Sequence, residues 1–256
     1  MGEFVAIDGH PTWVEDTGTG TPVLVLHGGF SNSDGLVEVF APLAADYRVI
    51  AFDRRGHGRT ADTDAPFHYA DMTTETAGVL AHAGGEAAHI VGYSDGGIIA
   101  LLLALARPDL VRSLVLIGTN YHYDGVVPGT FEDFGHDSDS FAFLQPGYAE
   151  RSPDGGDHFA VVVAKGVAML TTEPTLTTDD LARIPMPALV MAGDDDMVEP
   201  AHTQSLYESL PNGQLAVVPG ASHVVPYEKP ALVAQLVAEF LGSGGEVATM
   251  MPVRRA

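Results

Sequence analysis

The chain has 256 residues, 46% of them hydrophobic, so it is long enough to form one sizeable core with or without an insertion. Twelve basic residues against 34 acidic ones give a formal charge of −22, which excludes nucleic acid and anionic membrane as expected partners because both would be repelled. The chain contains no cysteine, which excludes disulfides, thiolate metal sites and cysteine nucleophiles.

No stretch supplies the roughly 20 consecutive apolar residues that a membrane-spanning helix needs. The apolar run over 97–106 is about half that length and is typical of a buried helix. The first residues, MGEFVAIDG, contain no basic region followed by an apolar one, so the sequence predicts no secretory signal. We therefore expect a soluble, cytoplasmic protein.

Short apolar runs alternate with helical stretches through the first half of the chain. Two early strands are predicted in FVAIDG and TWVED, followed by strands in TPVLVLHGG, YRVIAF, AAHIVGYS and VRSLVLIG. Helices are predicted over 35–45, 72–83 and 96–106. Strands that are apolar throughout and alternate with helices indicate a parallel sheet that is covered on both faces.

From residue 120 to residue 180 this alternation stops. The segment is rich in Gly, Pro, Asp and aromatic residues, and only 159–170 has a clear helical pattern. Because structureless loops of this length are uncommon in compact domains, the sequence predicts a small cap over 120–180. The cap is inserted into an α/β core formed by 1–119 and 181–242.

After the predicted cap, the alternation of strands and helices resumes. Strands are predicted in MPALVMAGDDD and GQLAVVPG, and helices over 200–210 and 229–241. The glycine-rich end of the chain, 243–256, is predicted to be a flexible tail.

A serine between glycines stands at the turn from a predicted strand into a predicted helix, where Gly92, Ser94 and Gly96 spell G-x-S-x-G. The pentapeptide alone is weak evidence, but this strand–turn–helix setting is typical of a nucleophile elbow. The serine hydroxyl would project from the carboxyl edge of the sheet at a helix N-terminus, where an oxyanion is stabilised. A serine that caps an ordinary helix is the alternative. We interpret Ser94 as a nucleophile.

A serine nucleophile needs a base and a group that orients the base. His223 is the only histidine beyond His202 and lies in the loop after the strand GQLAVVPG, so it is the predicted base. The orienting acid is expected after the strand ALVMAG, where Asp194, Asp195 and Asp196 are adjacent. The residue types and their order leave the choice among these three acids open.

An oxyanion needs two backbone N–H donors. One belongs to Asp95, the residue after the nucleophile, and the other must come from the loop after the strand VLVLHGG. Glycine lets the backbone approach a substrate closely, so Gly29 is the predicted donor and Phe30 the second choice. Phe30 is also a predicted substrate-binding residue. The alternative for these glycines is a plain tight turn.

Five elements occur in the order typical of α/β-hydrolase fold enzymes, and the chain resembles that family to about residue 241: HGG, DRRGHGRT, GYSDGG, GDDD and GASH. The resemblance implies a mostly parallel, eight-stranded sheet with helices on both faces and a small cap insertion. It also selects Asp196 as the orienting acid, through its spacing from Gly193. Arg54 or Arg55 is interpreted as a structural ion-pair partner. Metal-binding, Rossmann and P-loop motifs are absent, so we expect no metal and no cofactor.

A narrower resemblance covers about thirty residues, GYSDGGIIALLLALARPDLVRSLVLIGTNYHY, which are similar to the biphenyl-hydrolase-like serine hydrolases of the valacyclovir hydrolase type. In those enzymes an aspartate after the nucleophile holds the α-ammonium group of the substrate. The resemblance implies that Asp95 binds an α-amino-acid ester. The alternative is that Asp95 only begins a helix, where the helix dipole favours an acid.

The predicted function is the cleavage of a small carboxylic ester through an acyl-enzyme. Other chemistries use the same triad and stay open, because one fold supports many reactions. These are carbon–carbon bond hydrolysis of meta-cleavage products and cofactor-free haloperoxidase or perhydrolase activity. Outside enzymes, a hydrolase-like ligand receptor is the remaining alternative.

Overall fold

One eight-stranded sheet runs through the part of the chain that the computed structural model describes, residues 2–130, 144–245 and 249–251. Its strand order is β1-β2-β4-β3-β5-β6-β7-β8. The strands are β1 (Gly2–Ile7), β2 (His10–Gly18), β3 (Pro22–Leu26), β4 (Arg48–Phe52), β5 (Ala88–Tyr93), β6 (Val111–Ile117), β7 (Ala188–Asp195) and β8 (Gly213–Ser222).

The sheet is mostly parallel, as predicted. Only β2 is antiparallel to its neighbours, β1 and β4, and every other adjacent pair of strands is parallel. The central strand β3 is buried along its whole length, which explains why its sequence is apolar without alternation. Because β3 to β8 run in the same direction, the loops that follow them meet at one edge of the sheet.

Helices cover both faces of the sheet, which confirms the predicted α/β-hydrolase fold. They are α1 (Asp34–Phe40), α2 (Tyr69–His82), α3 (Asp95–Ala106), α4 (Gln145–Arg151), α5 (Phe159–Leu170), α6 (Thr178–Leu181), α7 (Pro200–Ser209), α8 (Val225–Glu228) and α9 (Pro230–Gly242). None of these described helices combines the length and the hydropathy that a bilayer crossing requires.

Alternate residues of the strands supply two separate cores, because successive side chains of a strand point to opposite faces. On one face, α2 and α3 pack over one set of strand residues: Leu24, Leu26, Ile50, Ile90 and Leu114. On the other face, α1 and α9 pack over the intervening set: Val23, Val25, Val49, Val91 and Val115. The helix α3 is apolar on nearly all sides and nearly all of it is buried.

The first predicted helix differs from the structure at its end. The prediction over 35–45 corresponds to α1, which stops at Phe40, followed by a 3₁₀ turn over Ala41–Ala45. Pro42 explains the break, because proline has no N–H to donate and its ring clashes with the carbonyl four residues earlier.

The segment 120–180 connects β6 to β7 and contains α4 and α5. Its side chains reach the rest of the chain through ion pairs, including Arg151 with Asp34 at 2.7 Å and Lys165 with Asp62 at 2.7 Å. The division into core and cap stays a prediction. The predicted tail, 243–256, lies largely outside the described residues.

Two glycines bring α3 close to the sheet. A Cβ atom on Gly96 would overlap the backbone carbonyl of Leu26 in β3, and one on Gly92 would overlap the backbone of Gly96. Rotating a side chain relieves neither overlap, so the helix itself would have to move. We expect Gly96→Ala to lower the free energy of unfolding by about 1–3 kcal/mol, the usual cost of overpacking, as measured by urea denaturation.

The matched control is Gly147→Ala, because Gly147 also lies in a helix but has open space where its Cβ would be. Alanine there should be neutral or stabilise by up to about 1 kcal/mol, since alanine is the better helix former. Equal effects of the two substitutions would contradict the close helix–sheet approach.

Candidate active site

Ser94 occupies the turn between β5 and α3 in a backbone conformation that non-glycine residues rarely adopt, with φ 53° and ψ −119°. Backbone hydrogen bonds hold this turn. The N–H of Ser94 donates to the carbonyl of Ile117 in β6 at 2.8 Å, and its carbonyl accepts from Gly97 N at 2.8 Å. The strand–turn–helix setting of the nucleophile elbow is therefore present at Ser94.

The structure brings Ser94, His223 and Asp196 together. Oγ of Ser94 lies 3.0 Å from Nε2 of His223, and Nδ1 of His223 lies 2.8 Å from Oδ1 of Asp196. Because the carboxylate only accepts, Nδ1 carries the proton of a neutral ring, which leaves Nε2 free to accept from the serine hydroxyl. His223 directly follows β8, and Asp196 directly follows β7.

Only one of the three adjacent acids faces His223. The Asp196 side chain is 2% exposed, and its Oδ1 also accepts from the N–H of Val198 at 3.0 Å. Asp194 and Asp195 are exposed, and Asp194 accepts from the N–H of Ala221 at 3.2 Å. The geometry therefore separates Asp196 from its two neighbours.

Two further residues shape the space around His223. Glu228 in α8 accepts from the N–H of Ser222 at 2.6 Å and from its hydroxyl at 3.1 Å, which holds the residue before His223. Gly118 has φ 57°, and a Cβ there would lie 3.0 Å from Nδ1 of His223. Sequence reasoning missed both residues. Gly118 could have been noticed in the sequence, because it is a glycine that directly follows an apolar strand.

The loop after β3 faces the same edge of the sheet. Gly29, Asp95 and Ser94 line one cavity, so the two predicted backbone donors lie beside the serine. Phe30 has φ 56° and is 6% exposed, and its ring occupies the space that a Cβ on Gly166 in α5 would need. Phe30 therefore connects the loop after β3 to the segment 120–180.

The carboxylate of Asp95 is buried and partnered. Its Oδ1 accepts from the Tyr69 hydroxyl at 2.8 Å, and its Oδ2 lies 4.0 Å from Nη2 of Arg54. Burial raises the pKa of Asp95, while Arg54 and the Tyr69 hydrogen bond oppose that rise. The residue is 3% exposed, so its side chain is nearly closed to solvent.

The cavity beside Ser94 has a volume of about 770 Å³, within the usual range for small-molecule sites. Its apolar lining includes Phe30, Leu144, Leu170, Met197, Val224 and Tyr227. Polar side chains also line it: Asn32, Asp34, Glu38 and Arg151. Among the described residues, no group of three or more His, Asp or Glu side chains is placed to hold a metal ion.

The fold and the Ser–His–Asp arrangement at the carboxyl ends of parallel strands define a hydrolase of the α/β type. A model of the alpha/beta hydrolase family matches residues 23–236, and the chain belongs to this family.

Relatives with several different named activities resemble most of the chain, as do solved structures of the same fold. RutD of Azorhizobium caulinodans, provisionally named a carbamate hydrolase, is 28% identical over an alignment of 250 residues that covers 90% of this chain and 94% of the relative. The bifunctional esterase/perhydrolase DCH of Acinetobacter calcoaceticus is 29% identical and covers 88% and 94% of the two chains. The meta-cleavage product hydrolase CumD of Pseudomonas fluorescens superposes with a TM-score of 0.79 at 23% identity, covering 95% and 98%. This last likeness concerns the fold alone.

The contact between Phe30 and Gly166 generates a prediction about stability. Gly166→Ala places a methyl group where the Phe30 ring lies, so we expect a loss of about 1–3 kcal/mol in the free energy of unfolding. In a Phe30→Ala background the space is open, and the same substitution should be neutral or stabilise by up to about 1 kcal/mol.

A double-mutant cycle followed by urea denaturation measures this coupling. Equal costs of Gly166→Ala in the two backgrounds would mean that the ring and the helix α5 do not compete for space.

Proposed function

We propose that the protein is a serine hydrolase that cleaves small carboxylic esters through an acyl-enzyme. Ser94 is the nucleophile, His223 the general base and Asp196 the acid that orients His223. The observation that carries this proposal is the chain of short contacts from Ser94 Oγ to His223 Nε2, 3.0 Å, and from His223 Nδ1 to Asp196 Oδ1, 2.8 Å, beside a cavity of small-molecule size.

In the first half of the reaction, Ser94 Oγ attacks the ester carbonyl while His223 Nε2 takes the hydroxyl proton. The imidazolium that forms is stabilised by the Asp196 carboxylate. His223 then gives the proton to the leaving alcohol, and the acyl group stays on Ser94. In the second half, His223 activates a water molecule in the same way, which releases the carboxylic acid and restores the serine.

The carbonyl oxygen gains negative charge in each half of the reaction. We assign its two donors to the backbone N–H groups of Gly29 and Asp95, because both residues line the same cavity as Ser94. Support for Gly29 comes from its place after β3 and from its close approach to Asp95, because a Cβ at Gly29 would lie 2.7 Å from Oδ2 of Asp95.

We also infer that the segment 120–180 acts as a cap that selects the acyl or alcohol group. Leu144, Arg151 and Leu170 from this segment line the cavity with the residues around Ser94. The pairs of Arg151 with Asp34 and Lys165 with Asp62 would hold this cap in place.

The substrates that we propose are simple esters with no α-amino group. The Asp95 carboxylate already faces the Arg54 guanidinium and accepts from the Tyr69 hydroxyl. A substrate ammonium group would be a second cation near Arg54 in a site with little water. The α-amino-ester specificity that the narrower resemblance implies therefore stays a prediction without further support.

A second candidate function is perhydrolysis, in which hydrogen peroxide replaces water in the second half of the reaction. The acyl group then leaves Ser94 as a peracid, and the serine regains its proton. The observation in favour is the relative from Acinetobacter calcoaceticus, which is named a bifunctional esterase/perhydrolase.

The triad generates a prediction about turnover. Ser94→Ala should remove nearly all hydrolysis of a short-chain nitrophenyl ester, whereas Ser243→Ala, at the far end of α9, should leave it unchanged. Asp196→Asn should slow turnover by about 10⁴-fold, the scale known for Asp→Asn in a Ser-His-Asp triad. Asp194→Asn should stay within a few-fold of the wild type, because Asp194 is exposed and does not face His223.

These variants are compared by steady-state rates on protein that is shown to be folded by circular dichroism. Substantial ester turnover by the Ser94→Ala variant would contradict the proposed mechanism. A larger loss of turnover for Asp194→Asn than for Asp196→Asn would mean that Asp194, and not Asp196, orients His223. Wild-type protein that binds esters without sustained turnover would favour the ligand receptor.

A substrate panel tests the proposed class. Propionate and L-alanine esters of the same alcohol differ only in the α-amino group, and we expect their kcat/KM values to agree within a few-fold. An Asp95 anchor for the ammonium group would instead favour the alanine ester by about 10- to 150-fold, from a charge-assisted bond of roughly 1.5–3 kcal/mol. That preference would have to disappear in Asp95→Asn.

The same panel includes a carbamate, a ring-fission dienoate and an ester with added hydrogen peroxide. Faster cleavage of the carbamate or dienoate than of every ester would reject the ester assignment. Peracid formed only when both ester and peroxide are present would establish perhydrolysis as a second activity of the same serine.

A further inference from the structure

Arg54 is the largest of the fully buried side chains in the described residues. Burying a guanidinium removes its hydration, which is costly unless the group gains strong partners. The partners of Arg54 therefore indicate what the buried charge does.

The guanidinium contacts the loop that follows β3. Nη1 of Arg54 donates to the carbonyl of His27, and Nη2 donates to the carbonyl of Gly28 at 3.0 Å. His27 supplies a second donor to the same place, with Nδ1 2.7 Å from the Gly28 carbonyl oxygen. Nε2 of His27 accepts from the N–H of Arg54 at 3.2 Å, which fixes Nδ1 as the protonated nitrogen. The Gly28 carbonyl is thus held by two donors on the inner side of the loop.

The Gly28 carbonyl belongs to the same peptide unit as the N–H of Gly29. This peptide is trans and planar, so its C=O and N–H groups point in opposite directions. Because Arg54 and His27 hold the carbonyl toward the interior, the N–H is directed away from them. Gly29 and Ser94 line the same cavity, so this is the side on which a substrate carbonyl would lie.

A cation on the carbonyl also strengthens the N–H as a donor. Hydrogen bonds in a chain polarise one another, by about 10–30% per bond. A guanidinium that draws electron density toward the Gly28 oxygen leaves the Gly29 hydrogen more positive. The effect acts without any movement during the reaction, which is the property that makes preorganised donors effective.

We propose that Arg54 is a positioning residue of the oxyanion hole: it holds and polarises the Gly28–Gly29 peptide so that the Gly29 N–H donates to the oxyanion. The inference rests on the proposed serine hydrolase function. It assigns to Arg54 a role in the rate of the reaction, beyond the structural ion pair that the sequence suggested.

The same arrangement explains why an aspartate, Asp95, directly follows the nucleophile Ser94 in the sequence. Asp95 lines the cavity beside Ser94, and its carboxylate is buried, with Oδ2 4.0 Å from Nη2 of Arg54. Burial lowers the pKa of Arg54, and the carboxylates of Asp95, Glu75 and Asp53 oppose that shift. Asp95 is therefore a counter-ion that offsets the cost of burying the Arg54 charge, while its own backbone serves as the proposed second donor.

A purely structural role for Arg54 makes a different prediction. If Arg54 only held the loop in shape, its replacement would lower stability and affect all ligands of the site alike. If it positions the oxyanion donor, its replacement will weaken tetrahedral adducts and leave trigonal ligands nearly unaffected. A trifluoromethyl ketone and the matched methyl ketone separate these cases. Ser94 adds to the first and forms an oxyanion, whereas the second binds as a ground-state analogue.

The experiment compares Arg54→Lys with Arg59→Lys. Lysine keeps the positive charge but cannot donate to two carbonyls in the fixed fork of a guanidinium. Arg59 is the matched control because it lies in the same loop and pairs with Asp34 and Asp53, not with the loop after β3.

Arg54→Lys should lower kcat by about 10- to 100-fold, less than the 10²- to 10³-fold loss when an oxyanion donor is removed outright. The affinity for the trifluoromethyl ketone should fall by a similar factor, and the affinity for the methyl ketone by no more than a few-fold. Arg59→Lys should leave the ratio of the two affinities at the wild-type value.

The outcomes are distinguishable from failure of the proposed function. If the wild-type protein forms no Ser94 adduct with the trifluoromethyl ketone, the serine hydrolase proposal fails and this inference fails with it. If the adduct forms but Arg54→Lys keeps the wild-type ratio, only the inference is overturned. Should Arg54→Lys not fold, His27→Gln carries the test, since it removes the Nδ1 donor to the Gly28 carbonyl, while the glutamine oxygen can still accept from the N–H of Arg54. A ratio that is unchanged in folded His27→Gln would show that donors to the Gly28 carbonyl do not affect the oxyanion, which overturns the inference as well.

Discussion

The backbone at Ser94 is the constraint on which the site depends. A serine with φ 53° and ψ −119° is in a conformation that costs on the order of 1–3 kcal/mol and persists only where the surroundings over-determine it. Here the strain is offset by the burial of the elements that surround the turn, which are β3, β5, β6 and α3. The close approach at Gly92 and Gly96 explains why both flanking positions must lack side chains. The nearly uniform apolar sequence of α3 follows from the same requirement, since a helix this close to the sheet meets protein on every side.

Charge is organised differently inside the molecule and on its surface. The chain has a formal charge of −22. Most acidic residues in the described part of the chain are exposed, whereas the buried charges near Ser94 occur in opposed sets. Arg54 faces Asp95, and Arg59 contacts the buried Asp53 at 3.1 Å. The oxyanion of the proposed reaction would therefore meet a site whose fixed charges are locally balanced and whose proposed donors are backbone N–H groups. This arrangement suits a substrate that is neutral before the reaction begins.

The sequence predicted those features that depend on local pattern and chain order. The mostly parallel sheet follows from strands without alternation, and the candidates Ser94 and His223 follow from turns placed after such strands. The choice of Asp196 among three adjacent acids needed a family resemblance, because burial separates them and burial is a long-range property. For the same reason, the sequence could not predict three other features: the direction of the Asp95 side chain, the contact of Phe30 with Gly166 and the partners of Arg54. Each joins residues that are more than 20 positions apart in the chain.

The loop after β3 is constrained from two sides by these long-range contacts. On the inner side, Arg54 and His27 hold the Gly28 carbonyl, and on the outer side the Phe30 ring packs against Gly166 in α5. Without the inner contacts, a change in the shape of the segment 120–180 would move Phe30 and, through it, the backbone of Gly29. With them, the loop resists that movement. A sequence that keeps the inner contacts can therefore vary the segment 120–180, and with it the shape of the cavity, while the proposed donor, Gly29, stays in place beside Ser94.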